Sequence, residues 1–180
     1  MTLYFITGNK NKFAEISSII PNLEQMDINL PEIQDVDAKK IIKAKLLNAL
    51  KYKKFDIIVE DTSLYFDSLN GLPGPLIKWF IKKLGNEGLV NLVKKLGNNK
   101  AEAKTIIGYA KSFNEIYFFE GSIKGEIIFP KGDCGFGWDC IFQPNGYSKS
   151  FAQLTQKEKN EISMRGIAIN KLKKFIENKN

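Results

Sequence analysis

Asp56-Ile57-Ile58-Val59-Glu60 is apolar without interruption between two acids. A strand with one wet face alternates apolar and polar residues. A run apolar on both faces must be covered from both sides, as a central strand of an α/β sheet is. Around it, residues 3–7 form a short apolar strand and a turn. Residues 10–20 carry Phe13, Ile16 and Ile20 at helical spacing, and 23–28 read as a second strand before Pro31. Residues 38–51 are strongly helical, with Ile41, Ile42, Lys45, Leu46 and Ala49 on one side. Strand, helix, strand, helix, strand predicts an α/β fold. Beyond the Gly71–Pro75 turn, helical stretches are predicted over 76–84 and 86–96. A long antiparallel hairpin follows over 102–112 and 115–129, and a last helix over 159–177. With no internal repeat and no long linker, residues 1–180 are expected to form one domain.

Histidine is absent. Proton transfer must therefore fall to carboxylates, lysines, hydroxyls or thiols, and no imidazole can ligate a metal. Cys134 and Cys140 are too few for a disulfide framework, and a reducing cytoplasm is the expected setting. No apolar run is long enough to span a bilayer, and the first residues lack the pattern of a signal peptide. The net charge of +7 favours polyanions such as nucleotides, although many lysines simply solvate helix faces.

Five segments carry chemistry. Thr7-Gly8-Asn9-Lys10-Asn11-Lys12 joins a strand to a helix, where backbone N–H groups and the helix dipole make an anion site. It is neither a Walker A loop nor a dinucleotide fingerprint, and an ordinary turn with a solvated lysine has the same pattern. Glu60-Asp61-Thr62 closes the buried strand, where α/β sheets collect ligands. Adjacent acids suit Mg²⁺ or a proton acceptor, while Asp61 as the cap of a following turn is the plainer alternative. Gly71-Leu72-Pro73-Gly74-Pro75 is a rigid loop leading to Lys78. Gly135-Phe136-Gly137-Trp138-Asp139 suits a base-stacking slot or a packed strand start. Lys159 and Arg165 fall near the start of the last helix, where they add phosphate and base contacts or only solvate it.

In this order the segments resemble the inosine triphosphate pyrophosphatase family over nearly the whole chain. The matching residues are Thr7–Lys12, Val59-Glu60-Asp61-Thr62, Gly71–Pro75 with Ile77-Lys78-Trp79-Phe80, Phe136-Gly137-Trp138-Asp139, and Ser150-Phe151-Ala152 followed by Lys159-Asn160. The resemblance implies an elongated, two-lobed α/β fold with a central mixed sheet flanked by helices and a nucleotide cleft between the lobes. It implies a homodimer that hydrolyses non-standard purine nucleoside triphosphates (ITP, dITP, XTP) to the monophosphate and pyrophosphate. By the same resemblance, Thr7, Gly8, Asn9, Lys10, Asn11 and Lys12 grip the phosphates, with Lys12 also catalytic. Glu32 and Asp61 hold Mg²⁺, with Mn²⁺ as an alternative, and Asp61 accepts the proton. Thr62 binds substrate, and Lys43, Lys78 and Lys159 contact the triphosphate. Phe136, Gly137, Trp138 and Asp139 form the base pocket, with Arg165 reading the purine and Met164 beside it, also binding substrate.

Three positions depart from the family pattern. Met164 stands where the family usually has His, Cys140 follows Asp139 where proline is common, and Gln153 replaces a frequent Glu. A nucleic-acid-binding module is the main rival reading, disfavoured because the lysines are scattered rather than gathered on one face. A pyrophosphatase of modified pyrimidine triphosphates and an inactive descendant are the others. Neither a nucleic-acid nor a membrane partner is expected.

Overall fold

The apolar run at residues 57–59 is buried as expected, but its strand does not stop at the acids. The computed structural model describes residues 2–52, 56–135 and 137–178, and in it the strand continues to Phe66. The elements are β1 (Leu3–Ile6), α1 (Lys10–Ser17), β2 (Leu23–Met26), α2 (Ala38–Tyr52), β3 (Asp56–Phe66) and β4 (Pro73–Gly74). They continue with α3 (Ile77–Lys95), β5 (Lys100–Ser112), β6 (Glu115–Ile127), β7 (Phe142–Pro144), α4 (Gln156–Ile162) and α5 (Met164–Glu177). The sheet runs β2-β1-β3-β5-β6-β7, with β4 also on β3. β2, β1 and β3 are parallel, whereas β3, β5, β6 and β7 pair antiparallel, so the sheet is mixed.

β3 and β5 each serve three cores. Alternation sends Ile57 and Val59 toward α2, where they meet Ile42 and Leu46. Ile58 faces the other side with Ile16 of α1 and Ile169 and Leu172 of α5. Further along, Leu64 and Phe66 join Leu89 and Val93 of α3, Trp138, Phe142 and Phe151 in a separate core. Between the cores β3 reads Glu60-Asp61-Thr62-Ser63, and Thr105 of β5 lies opposite Thr62. This polar waist, set across strands held in register on both sides, divides the molecule into two lobes.

The two predicted helical stretches, 76–84 and 86–96, are both helical and run on as α3, interrupted at Gly85, whose φ of 67° and ψ of 174° are non-helical. Two other expectations change. The expected last helix is two helices, broken at Ser163, whose side chain accepts from the Gly166 amide and starts α5. Cys134 and Cys140 are joined by a disulfide, against the expectation of two free thiols in a reducing setting.

Candidate active site

The waist opens into a cavity of about 610 Å³, the size of small-molecule sites. Its floor is the middle of β3. One wall is the β1–α1 turn, and the opposite walls are the start of α3 and the Trp138–Asp139 segment. Of the residues expected to serve the site, Thr7, Gly8, Asn9, Lys12, Glu32, Asp61, Thr62, Lys78, Gly137, Trp138, Asp139, Lys159, Met164 and Arg165 line it. Lys10 and Asn11 are exposed and contribute no side chain to the lining. Phe136 lies outside the described residues.

Lys43 is not in the cavity; Lys45 is. Residues two apart on a helix are separated by about 200° around the axis, so both cannot face one cleft. Lys43 is exposed, whereas Lys45 bonds Glu32 and sits 3.8 Å from Asp61 Oδ1. The sequence held a signal for this, because Lys45 shares the apolar side of its helix with Ile41, Ile42 and Leu46.

The phosphate-type turn is built locally. Asn9 caps α1 by accepting from the Lys12 amide at 3.0 Å, and its own amide donates to Thr7 Oγ1 at 3.0 Å. The cap fixes the helix start against the cavity, so its dipole and the Lys12 ammonium act together.

Across the floor runs a chain of alternating charge. Lys12 Nζ lies 2.7 Å from Glu60 Oε2. Arg165 donates through Nε at 3.3 Å and Nη2 at 3.2 Å to Glu60 Oε1, through Nη1 to Glu15, and through Nη2 at 3.1 Å to Thr62 Oγ1. Lys159 Nζ reaches Glu15 at 3.5 Å and also bonds Asp139. Glu15 was not singled out from the sequence, and Glu60, read there as one of two adjacent acids suited to Mg²⁺ or a proton, is instead the partner of Lys12 and Arg165. Glu15 lies on a short helix, and its partners Lys159 and Arg165 are 144 and 150 residues away, so no local pattern reveals it.

The two acids of β3 differ because successive residues face opposite sides of the sheet. Burial would raise the Glu60 carboxyl, but the Arg165 and Lys12 charges overcome it and hold it at about 2. At Asp61 burial wins over the charges of Lys45 and Lys12, so its carboxyl is raised. Ser63 Oγ donates to Asp61 Oδ2 at 3.1 Å and orients it. Burial also raises Asp139 despite Lys159. Glu32 is lowered, its burial outweighed by the Lys45 bond and by the charges of Lys45, Lys78 and Lys12.

Glu32 and Asp61 thus share one cation, the Lys45 ammonium. Among the described residues no three His, Cys, Asp or Glu side chains form a ready metal cage. Two carboxylates fit an ion such as Mg²⁺, which takes the rest of its shell from water and substrate phosphate.

At the other end, Trp138 is buried against Phe142, with centroids 5.5 Å apart, and Phe151, at 6.3 Å, and the cavity meets it beside Asp139. At the mouth, Trp79 Nε1 of α3 donates to Gln34 Oε1 at 2.6 Å, joining the two lobes. Gln153, in place of the usual acid, still caps its turn, accepting from the Ser150 amide at 3.1 Å.

Inosine triphosphate pyrophosphatase of Schizosaccharomyces pombe is 38% identical to this chain, over 98% of the chain and 95% of its own length. Among solved structures, the Staphylococcus aureus Ham1 protein superposes with a TM-score of 0.83 at 26% identity, covering 100% of both chains. A HAM1 protein from Coxiella burnetii shares the fold with a TM-score of 0.86 at 22% identity, over 99% of this chain and 100% of its own. The Ham1 family model matches residues 3–175, and with fold and full-length similarity in agreement, the chain belongs to the Ham1 family.

Proposed function

We propose that the chain hydrolyses non-standard purine nucleoside triphosphates (ITP, dITP, XTP) to the monophosphate and pyrophosphate, in a Mg²⁺-dependent reaction. One observation carries this reading. A single cavity joins a cationic helix start and an acid pair at one end to an aromatic, hydrogen-bonding wall at the other. That polarity matches a nucleotide lying with its phosphates toward Lys12 and Lys45 and its base toward Trp138 and Asp139. The full-length similarity to a protein named inosine triphosphate pyrophosphatase supports the same substrate class.

Glu32 and Asp61 are the residues that would hold the metal. When bound, Mg²⁺ neutralises phosphate oxygens and lowers the pKa of nearby water. The α1 amides, Lys12, Lys45 and Lys78 bind the triphosphate and offset charge that develops on the leaving pyrophosphate. Asp61, raised by burial and oriented by Ser63, accepts the proton of a water attacking the α-phosphorus. Lys43, exposed outside the cavity, takes no part.

Base selection falls to the Arg165 end. A guanidinium carries five N–H groups, and four hydrogen bonds already go to Glu60, Glu15 and Thr62. The remaining Nη1 donor and the Met164 amide are the donors left for a purine 6-keto oxygen. Adenine presents an amino group there, leaving donors facing donors, a costly arrangement in a buried site. The protein is also proposed to work as a cytoplasmic homodimer; among the described residues no helix is long and apolar enough to cross a membrane.

Pyrophosphate release from ITP, XTP, dITP, ATP and GTP, with and without Mg²⁺, tests the proposal. Release from the first three above the last two, and only with the metal, is expected. No release from any of them overturns the enzyme reading.

A further inference from the structure

The Cys134–Cys140 disulfide links cysteines six positions apart and encloses Gly137, Trp138 and Asp139, which face the base end of the cavity. Its ends differ in their surroundings. Cys140 is fully buried in the core of Trp138, Phe142 and Phe151, whereas Cys134 lies on an exposed limb. The bridge thus fastens a surface limb to a core anchor. A backbone bond from the Lys131 amide to the Cys140 carbonyl, at 2.9 Å, closes the limb at its base. A chain of this size with three apolar clusters does not need a staple, and a loop this short yields little global stabilisation. The consequence of the bridge is local.

Without the bridge the segment has the means to loosen. Gly137 has φ +58, and nothing lies within 4 Å of the place a Cβ would occupy, so packing does not restrain the turn there. Lys159 still holds Asp139 and the core still holds Trp138, so the tie in question is that of Gly137 to Asn86 of α3, whose Nδ2 donates to Gly137 O at 3.0 Å and contacts Cys140 Sγ at 3.4 Å. Asn86 Oδ1 is a buried acceptor with no partner among the described residues. A disulfide sulfur has no proton to offer it, but a reduced Cys140 S–H does. Turning the amide to meet that thiol would withdraw the donor from Gly137.

We propose that Cys134–Cys140 is a redox modification site, acted on by dithiol reductants, which sets how firmly the Trp138–Asp139 wall is held for the base. The proposal rests on the nucleotide reading of the cavity. Cys134 is the exposed residue of the pair, so its sulfur is the one assigned as the point of attack. A reductant thiolate bonds to it, the S–S bond breaks, and Cys140 leaves as a thiolate and takes up a proton. The second reductant thiol then displaces Cys134, which is protonated in turn. Two electrons and two protons pass to the protein, and the reductant becomes its disulfide. A disulfide of the glutathione type reverses the exchange.

The test compares KM and kcat for ITP in protein oxidised with glutathione disulfide and in the same protein reduced with dithiothreitol. Thiols are counted by alkylation and mass. Freeing one aromatic wall should raise KM by roughly two- to tenfold, with kcat unchanged. Cys134→Ser should stay at the reduced value and ignore dithiothreitol, and reoxidation should restore the native protein. Equal KM in both states, or two free thiols after glutathione disulfide treatment, overturns the proposal. If ITP is not turned over in either state, the enzymatic reading fails by itself. ITP binding followed by tryptophan fluorescence then decides the redox effect, and equal affinities in the two states overturn it.

Discussion

Asp61 and Glu60 are neighbours in sequence and opposites in environment. Glu60 is fixed as an anion between Arg165 and Lys12, so it positions cations and has little basicity to offer. Asp61 is raised by burial and meets only the rim of the Lys45 charge, which suits a group that must take a proton. Asp61→Asn should therefore lower kcat by at least about a hundredfold, the lower range for loss of a positioned base. ITP affinity should stay within a few-fold, as a binding isotherm beside steady-state kinetics would establish. Near-normal kcat would remove Asp61 from the chemistry. Met164 poses a separate question, because its buried thioether offers no donor to a keto oxygen. Met164→His should increase the ratio of ITP to ATP turnover efficiency; an unchanged ratio would show that discrimination lies elsewhere.

The elements that hold the site differ in how legible they were. Apolar run, helical spacing and turn residues exposed β1, α1, α2 and β3, and the hairpin of β5 and β6 lay close to its expected limits. The position of the acids was misjudged: they sit mid-strand, because β3 outlasts the cores on its two faces and enters a third that periodicity cannot separate. The α4–α5 break was missed since Ser163, its cap, lies inside an otherwise continuous amphipathic pattern. The β1–α1 turn and the acids of β3 could be read because each is a short run of adjacent residues. The Glu15–Arg165–Lys159 network could not, because it forms only when α1 and the two last helices meet. The close approach of α4 and α5 depends on Gly166, where a Cβ would lie 1.9 Å from the Asn160 carbonyl oxygen. Backbone of this kind cannot step aside as a flexible side chain would. Gly166→Ala should destabilise the protein by about 1–3 kcal/mol in chemical denaturation. It should also lower kcat/KM, since Lys159 and Arg165 lie on the two helices forced apart. A stable variant with normal kinetics would contradict this packing account.

At the scale of the whole molecule, the cavity is where two cores stop and buried charges begin. Glu60 ties α1 to α5 through Lys12 and Arg165, so its ionisation is a stability term for the chain. Its pKa falls from 4.5 to about 2 on folding. A carboxyl lowered by folding stabilises the protein above its unfolded pKa, and that contribution is lost as pH falls from about 4.5 through about 2. The shift corresponds to something on the order of 3 kcal/mol. Unfolding measured against pH should steepen in that window for the native protein and flatten for Glu60→Gln. The variant should also be less stable at neutral pH, because Arg165 loses a buried counter-charge. Equal slopes for both proteins would contradict the assignment.

In the proposed reaction, water deprotonated at Asp61 attacks the α-phosphorus of a purine triphosphate lying along this cavity. Hydrolysis of ITP in heavy-oxygen water, with mass analysis of both products, reads that step directly. The label is expected in inosine monophosphate and not in pyrophosphate. Label in pyrophosphate, or release of single phosphates in place of pyrophosphate, would contradict it.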